Sequence, residues 1–285
     1  MSTLVVGFDA AWTAAKAGAI VGVIRKADRT FQELGPPLLV NYPDATARVL
    51  DWQRTWSPDS TLVLLDQPTI VTNDTGQREV EHLVTSPIGR RLGGMQPANT
   101  SRTDMFGVTA PLWPFLTQFG GPANPLGTLT PTCVYETYPA LAMIALGWTL
   151  PHHQRATGRL PKYNPARRNT FALADWQHVC QTVSDAFRQR GLTALAGLTN
   201  DAAHNPTPRK SDQDRIDACI CLLVGLHLAD NKGCLMIGNC TNGYIIVPDD
   251  PILTKELITR CTATGRTPTD WVRTFRLPNG GDMCA

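Results

Sequence analysis

The chain has 285 residues, of which 42% are apolar and 18% charged, with a formal net charge of +2. That length suits one large α/β domain with a substantial core, and so small a net charge neither requires nor excludes a nucleic-acid partner. Eight scattered cysteines form no CxxC pair, and no apolar run reaches the roughly 20 residues of a membrane span. The expectation is a soluble, cytoplasmic protein with reduced thiols and no membrane partner. Cys219 and Cys221 would lie about 200° apart on a helix, which argues against a shared zinc ion.

Taken in chain order, residues 3–9 read as a buried strand and 18–24 as a second strand of a meander. A third strand near 31–40 is interrupted by Gly35-Pro36-Pro37, leaving either Leu38-Leu39-Val40 or the stretch before the glycine. Ala45, Val49, Trp52 and Trp56 recur at helical spacing over 44–56, ahead of the strand Thr61-Leu62-Val63-Leu64-Leu65. Residues 67–130 are rich in Pro, Gly, Asn and Thr, with periodicity only for a short helix around 78–92. A strand over 132–135 and a helix over 138–148 follow, then a polar, basic segment over 152–169. Helices are predicted at 175–190 and at 211–228, the latter with Ser211 as N-cap. A hairpin pairs 234–237 with 244–247, and a helix near 252–262 precedes a tail. The domain reading is a single unit over 1–250, with insertions at about 67–130 and 150–172, followed by a C-terminal helix and tail over 251–285.

Three of the apolar strands end in an acid: Asp9, Asp66 and Glu136. A buried carboxylate is costly unless paired or neutralised, and strand ends along one edge of an open α/β sheet are where ligands bind. Asp217 joins them from the helix, where it borders the apolar face about 300° around from Asp214. Several carboxylates in one place require protonation or a divalent cation, and oxygen-only ligands favour Mg2+ or Mn2+. Two such ions serve phosphodiester cleavage. Each acid also has a plainer role open to it: Asp9 and Asp66 as turn residues, Glu136 as the partner of an arginine, Asp214 as a helix N-terminal charge.

Five segments carry a family resemblance: Gly7-Phe8-Asp9-Ala10-Ala11-Trp12-Thr13 with Ala17-Gly18 after it, Leu65-Asp66-Gln67-Pro68, Tyr135-Glu136-Thr137-Tyr138-Pro139, Asp214-Arg215-Ile216-Asp217-Ala218 and Gly243-Tyr244-Ile245-Ile246-Val247-Pro248. In this order, across about residues 4–250, they resemble the DUF429 family. The resemblance implies a ribonuclease H-like α/β fold, a five-stranded mixed sheet flanked by helices, with the long insertion after the fourth strand. It implies a metal-dependent nuclease in which Asp9 bridges the metal, Asp66 and Glu136 take the neighbouring strand positions and Asp217 the helical one. The 95–130 region has no counterpart in the resemblance.

Arg90, Arg91, Lys162, Arg167 and Arg168 lie in the two insertions and are candidate phosphate ligands, or solvated surface charges. Trp12 and Tyr138, beside candidate acids, offer either base stacking or core packing. His152-His153 carries little weight, because adjacent side chains diverge on any regular element. The leading expectation is a nuclease using Asp9, Asp66, Glu136 and Asp217, with Asp214 as a further metal ligand. Alternatives are a non-catalytic nucleic-acid or nucleotide binding protein on the same fold, and an actin-like phosphotransferase, for which the glycine-rich phosphate loops are missing.

Overall fold

The computed structural model describes residues 1–13, 16–89, 95–128, 130–156 and 160–277, with the side chains of 86–89 left aside. In chain order the elements are β1 (Thr3–Asp9), β2 (Gly18–Arg25), β3 (Phe31–Glu33), β4 (Leu38–Val40), α1 (Tyr42–Trp56), β5 (Ser60–Leu65), α2 (Glu79–Gly89), α3 (Thr103–Phe106), α4 (Leu112–Gln118), β6 (Thr132–Glu136) and α5 (Pro139–Ala145). They continue with α6 (Leu173–Arg188), α7 (Thr193–Ala203), α8 (Lys210–Ala229), β7 (Cys234–Asn239), β8 (Gly243–Pro248), α9 (Pro251–Ala263), α10 (Pro268–Trp271) and β9 (Val272–Phe275).

The main sheet is mixed and six-stranded, in the order β3-β2-β1-β5-β6 with β4 also on β2. β2 runs antiparallel to β1, whereas β5 and β6 run parallel to it. Both halves of the interrupted third strand form. Gly35-Pro36 turns the chain so that β3 pairs with Val23–Arg25 and β4 with Gly18–Ile20, two short strands sharing one edge of β2. That adds a strand to the five expected from the resemblance and makes β5, rather than a fourth strand, the one that precedes the long insertion.

Strand alternation divides the core in two. Val5, Val21, Leu62 and Leu64 face α8, whereas Leu4, Val6, Phe8, Val63 and Leu65 face α1 and α4. α1 is capped by the Asn41 side chain, which accepts from the Asp44 amide at 2.9 Å, and it buries Tyr42, Ala45, Val49 and Trp52. Trp56, placed on the same stripe by spacing, stands exposed at the last turn. The N-cap of α8 is Arg209, two residues before the Ser211 expected. The Asp212 carboxylate accepts from the backbone N–H of Arg209 at 2.9 Å and takes the capping role.

α8 is buried on nearly all sides, between the sheet and α5, α6 and β8. It lies so close to β1 that a Cβ on Gly7 would sit 2.1 Å from the Ala218 carbonyl oxygen and 2.4 Å from the Leu222 nitrogen. About two turns beyond Ala218, a Cβ on Gly225 would strike Val5 and Leu64 side chains at 2.5 and 2.7 Å. The helix is therefore seated on the sheet at two glycines, one on each element.

The 67–130 insertion is more ordered than its composition suggests. Phe106, Leu112, Phe115 and Phe119 enter the core, with Phe115 packed on Phe8 and Tyr42 at ring separations of 5.5 and 5.4 Å. The C-terminal segment also differs from a helix and tail: after α9 it forms β9, which pairs with β7 and completes a three-stranded sheet, β8-β7-β9. Among the described residues no helix is long and apolar enough to cross a membrane, and the described cysteines are free thiols.

Overpacking at backbone contact distance has no flexible side chain to absorb it. Gly7→Ala is expected to destabilise the protein by about 3 kcal/mol or more in urea unfolding. Gly197→Ala, in α7 with open space around the added methyl, is expected to stabilise it by about 0.5–1 kcal/mol. Equal effects from the two substitutions would show that α8 is not seated on β1 as described.

Candidate active site

β1 and β5 are in parallel register, with Phe8 opposite Leu65, and the Asp66 N–H donates to the Phe8 carbonyl at 2.8 Å. Asp9 and Asp66 thus leave the sheet side by side, in phase with the residues that face α8. On α8 the turn of about 100° per residue puts Lys210, Asp214 and Asp217 on one face. The close seat at Gly7 brings that face against the strand ends, because Ala218, which touches Gly7, adjoins Asp217.

Each group is held differently. Asp217 accepts from the Tyr163 hydroxyl and from the Gln213 amide, both at 2.7 Å. Asp214 pairs with the half-exposed ammonium of Lys210. Asp9 is 6% exposed, and its Oδ2 is buried without a hydrogen-bond partner. Beyond Asp9 the chain turns through Trp12 at φ 62°, a left-handed conformation that is strained for a side chain of this size. The Trp12 indole N–H donates to the Asp66 carbonyl at 2.9 Å and ties the two strand ends together. Its ring packs edge-on against Phe106. Both contacts give Trp12 a structural role, and it also lines the cavity described below.

Burial, followed by repulsion from Asp66 and Asp217, pushes the Asp9 carboxyl well above its usual value. Burial and repulsion from Asp217 do the same to Asp66, with the Lys210 ammonium pulling the other way. Burial raises Asp217 to about 6, against the attraction of Lys210 and the bonds from Tyr163 and Gln213. For Lys210, burial works against the charge, but Asp9 and Asp217 outweigh it and hold the ammonium above its ordinary range. Burial and Asp217 likewise hold the Tyr163 phenol protonated, as a donor.

Glu136 has a different setting. It is in register with Leu65, one residue out of phase with Asp66. Both its oxygens are engaged by Arg78, at 2.6 and 2.9 Å, and Oε2 also accepts from the Thr69 N–H at 2.8 Å. Arg78 is fully buried, with its Nε on Glu81 at 2.9 Å and Nη1 on the Ile70 carbonyl at 3.0 Å. Burial raises Glu136, while the guanidinium and the Thr69 amide pull it back, and the bidentate geometry holds an ion pair. Glu136 borders the acidic cluster, and its lone pairs are directed largely to Arg78.

The acids form the floor of a cavity of about 980 Å3. One wall is the 95–105 stretch of the first insertion, with Gln96, Pro97, Arg102 and Met105; the other is 160–170, with Leu160, Lys162, Tyr163 and Arg167. Lys16, Arg102, Lys162 and Arg167 give the walls positive charge above a negative floor. Of the basic residues singled out in the sequence, Lys162 and Arg167 line the cavity, Arg168 is exposed and not part of its lining, and Arg90 and Arg91 lie outside the described residues. Lys210, Tyr163 and Gln213 were not anticipated. The i, i+4, i+7 spacing of Lys210 with Asp214 and Asp217 is readable on a helical wheel; nothing local marks Tyr163.

The donors are all oxygen, and the unpartnered Asp9 Oδ2 is a ligand atom with nothing to bind, which suits a hard divalent cation. Among the described residues, however, no three His, Cys, Asp or Glu side chains already stand in a metal-binding arrangement. The donor chemistry fits such an ion, without a preformed cage.

Arg78→Met leaves Glu136 and Glu81 buried without their cation, and a loss of about 3–5 kcal/mol in chemical denaturation is expected. For the aspartates the folded values lie above the ordinary 3.8, so the fold binds more protons than the unfolded chain. Their contribution to stability without divalent ions is then fully present below 3.8 and is lost as pH rises, for Asp217 through about 6. In EDTA at neutral pH, Asp9→Asn is expected to be more stable than wild type by about 1–3 kcal/mol, with the gap closing as pH falls toward the ordinary aspartate range. A gap that is unchanged with pH would refute the repulsion.

The chain matches no family model, no curated protein and no solved structure, so the reading of this site rests on its own geometry.

Proposed function

We propose that this protein is a divalent-metal-dependent nuclease on a ribonuclease H-like fold, related to the DUF429 family. The observation that carries the proposal is the buried, unpartnered Asp9 Oδ2, set among Asp66, Asp214 and Asp217 beneath a basic rim. Helices on both faces of a mixed sheet support the fold assignment. Asp9, Asp66, Asp214 and Asp217 would hold Mg2+ or Mn2+, which when bound supplies Lewis acidity toward a phosphoryl oxygen and activation of water.

The chain's own residues account for the rest. Tyr163 and Gln213 fix the Asp217 carboxylate in one orientation, the second-layer support that such ligands require. Lys210 sets an ammonium at the edge of the cluster, within reach of charge that develops on a phosphate. Lys162 and Arg167 supply wall charges for neighbouring phosphates, which position a strand without reading its sequence. Glu136, also a candidate ligand from the sequence, is assigned to the framework on the strength of its bonds to Arg78.

A non-catalytic nucleic-acid or nucleotide binding role is the second reading, favoured by the lack of a preassembled metal arrangement among the described residues and by the Lys210 charge already facing the acids. Purified protein with manganese is expected to cleave nucleic acid and to bind manganese in calorimetry, and Asp9→Asn to lose both. No heat of manganese binding and no cleavage of any substrate by the wild type would shift the assignment to the binding role.

A further inference from the structure

We propose that the site takes an unpaired strand, a single-stranded segment or a strand end, and excludes continuous duplex. This rests on the nuclease reading of the same site and concerns what reaches the acids. Asp9 and Asp217 are only 6% and 5% exposed, in a cavity bordered by the 95–105 and 160–170 segments. At about 980 Å3 the cavity lies at the upper end of the range for small-ligand pockets, roughly 300–1,000 Å3, the scale of a nucleotide rather than of a groove around a helix. A duplex is stiff over far longer distances than this opening, so its phosphates reach buried acids only where a strand leaves the helix.

The walls are fixed in place. On one side the Asp175 carboxylate accepts from the Lys162 N–H at 2.8 Å, and the Ala172 N–H donates to the Lys162 carbonyl at 2.8 Å. On the other, Asn73 donates to the Ala98 carbonyl at 3.0 Å, Asn99 to the Gly76 carbonyl at 2.7 Å and Arg102 to the Pro97 carbonyl at 2.7 Å. Besides the charged groups, the lining includes Pro68, Met105, Leu160, Trp12 and Tyr138. Apolar and aromatic surface beside the acids suits the faces of unstacked bases, and duplex bases do not present those faces.

The test uses one fluorescein-labelled DNA strand presented alone, as a blunt duplex and as a duplex with a single-stranded tail. Cleavage and fluorescence anisotropy are measured with wild-type protein in manganese. The expected result is single-strand cleavage at least about tenfold faster than blunt-duplex cleavage, with cuts in the tailed substrate confined to the tail. Blunt duplex cut as fast as single strand overturns the inference and leaves the nuclease reading intact. If nothing is cut, either in DNA or in the same three forms made of RNA, the nuclease reading falls and binding decides. Tighter anisotropy with the single strand, weakened in Lys162→Glu and Arg167→Glu proteins that melt like wild type, upholds the inference. Equal or absent binding overturns it.

Discussion

The contact on which the rest depends is the seat of α8 on β1 at Gly7. Two backbones approach there with no side chain between them, and the carbonyl of Ala218 lies where any other residue at position 7 would carry its Cβ. A strand bearing a larger residue would hold the helix further away, and the helical aspartates would retreat from the strand ends by a comparable distance. The spacing of the acidic cluster is thus set by a residue that has no functional group. The all-round burial of α8 keeps that spacing fixed, since the helix has neighbours on its other sides and little freedom to slide.

Buried carboxylates are the main electrostatic cost of this architecture, and the protein meets it in two ways within one sheet edge. Glu136 is given a dedicated, fully buried guanidinium and has little capacity left for anything else. Asp9, Asp66 and Asp217 share the attraction of one half-exposed ammonium and remain under mutual repulsion. The first arrangement consolidates the junction between the sheet, α2 and the second sheet. The second leaves the acids under a repulsion that lowers stability, a pattern frequent where stability has been given up for a site.

The elements most legible in the sequence were those with strong periodicity. The stripe Trp176, Val179, Cys180, Val183 and Phe187 marked α6, and the apolar runs ending at Asp9, Leu65 and Glu136 marked the strands to within a residue. Convergence of Asp9, Asp66 and Asp217 followed from strand-end chemistry and a helical wheel. What stayed hidden was settled by tertiary contacts. Glu136 was open to either role, metal ligand or partner of an arginine, because the register of β6, and the arrival of Arg78 from a proline- and glycine-rich segment, have no local signature. Tyr163 reaches Asp217 from a stretch without periodicity. β9 was missed because a four-residue run with one buried side chain, Phe275, makes a strand only when β7 is there to pair with it.

That last strand has a consequence for the chain as a polymer. Cys234–Ile237 of β7 are fully buried and apolar, and β9 covers one side of their backbone while β8 covers the other. A chain ending after β8 would keep every aspartate of the cluster and yet present a hydrophobic strand with a row of unpaired amides and carbonyls, the template on which sheets add to one another. The C-terminal strand, remote in sequence from the acids, therefore replaces a long apolar edge with a shorter and more polar one.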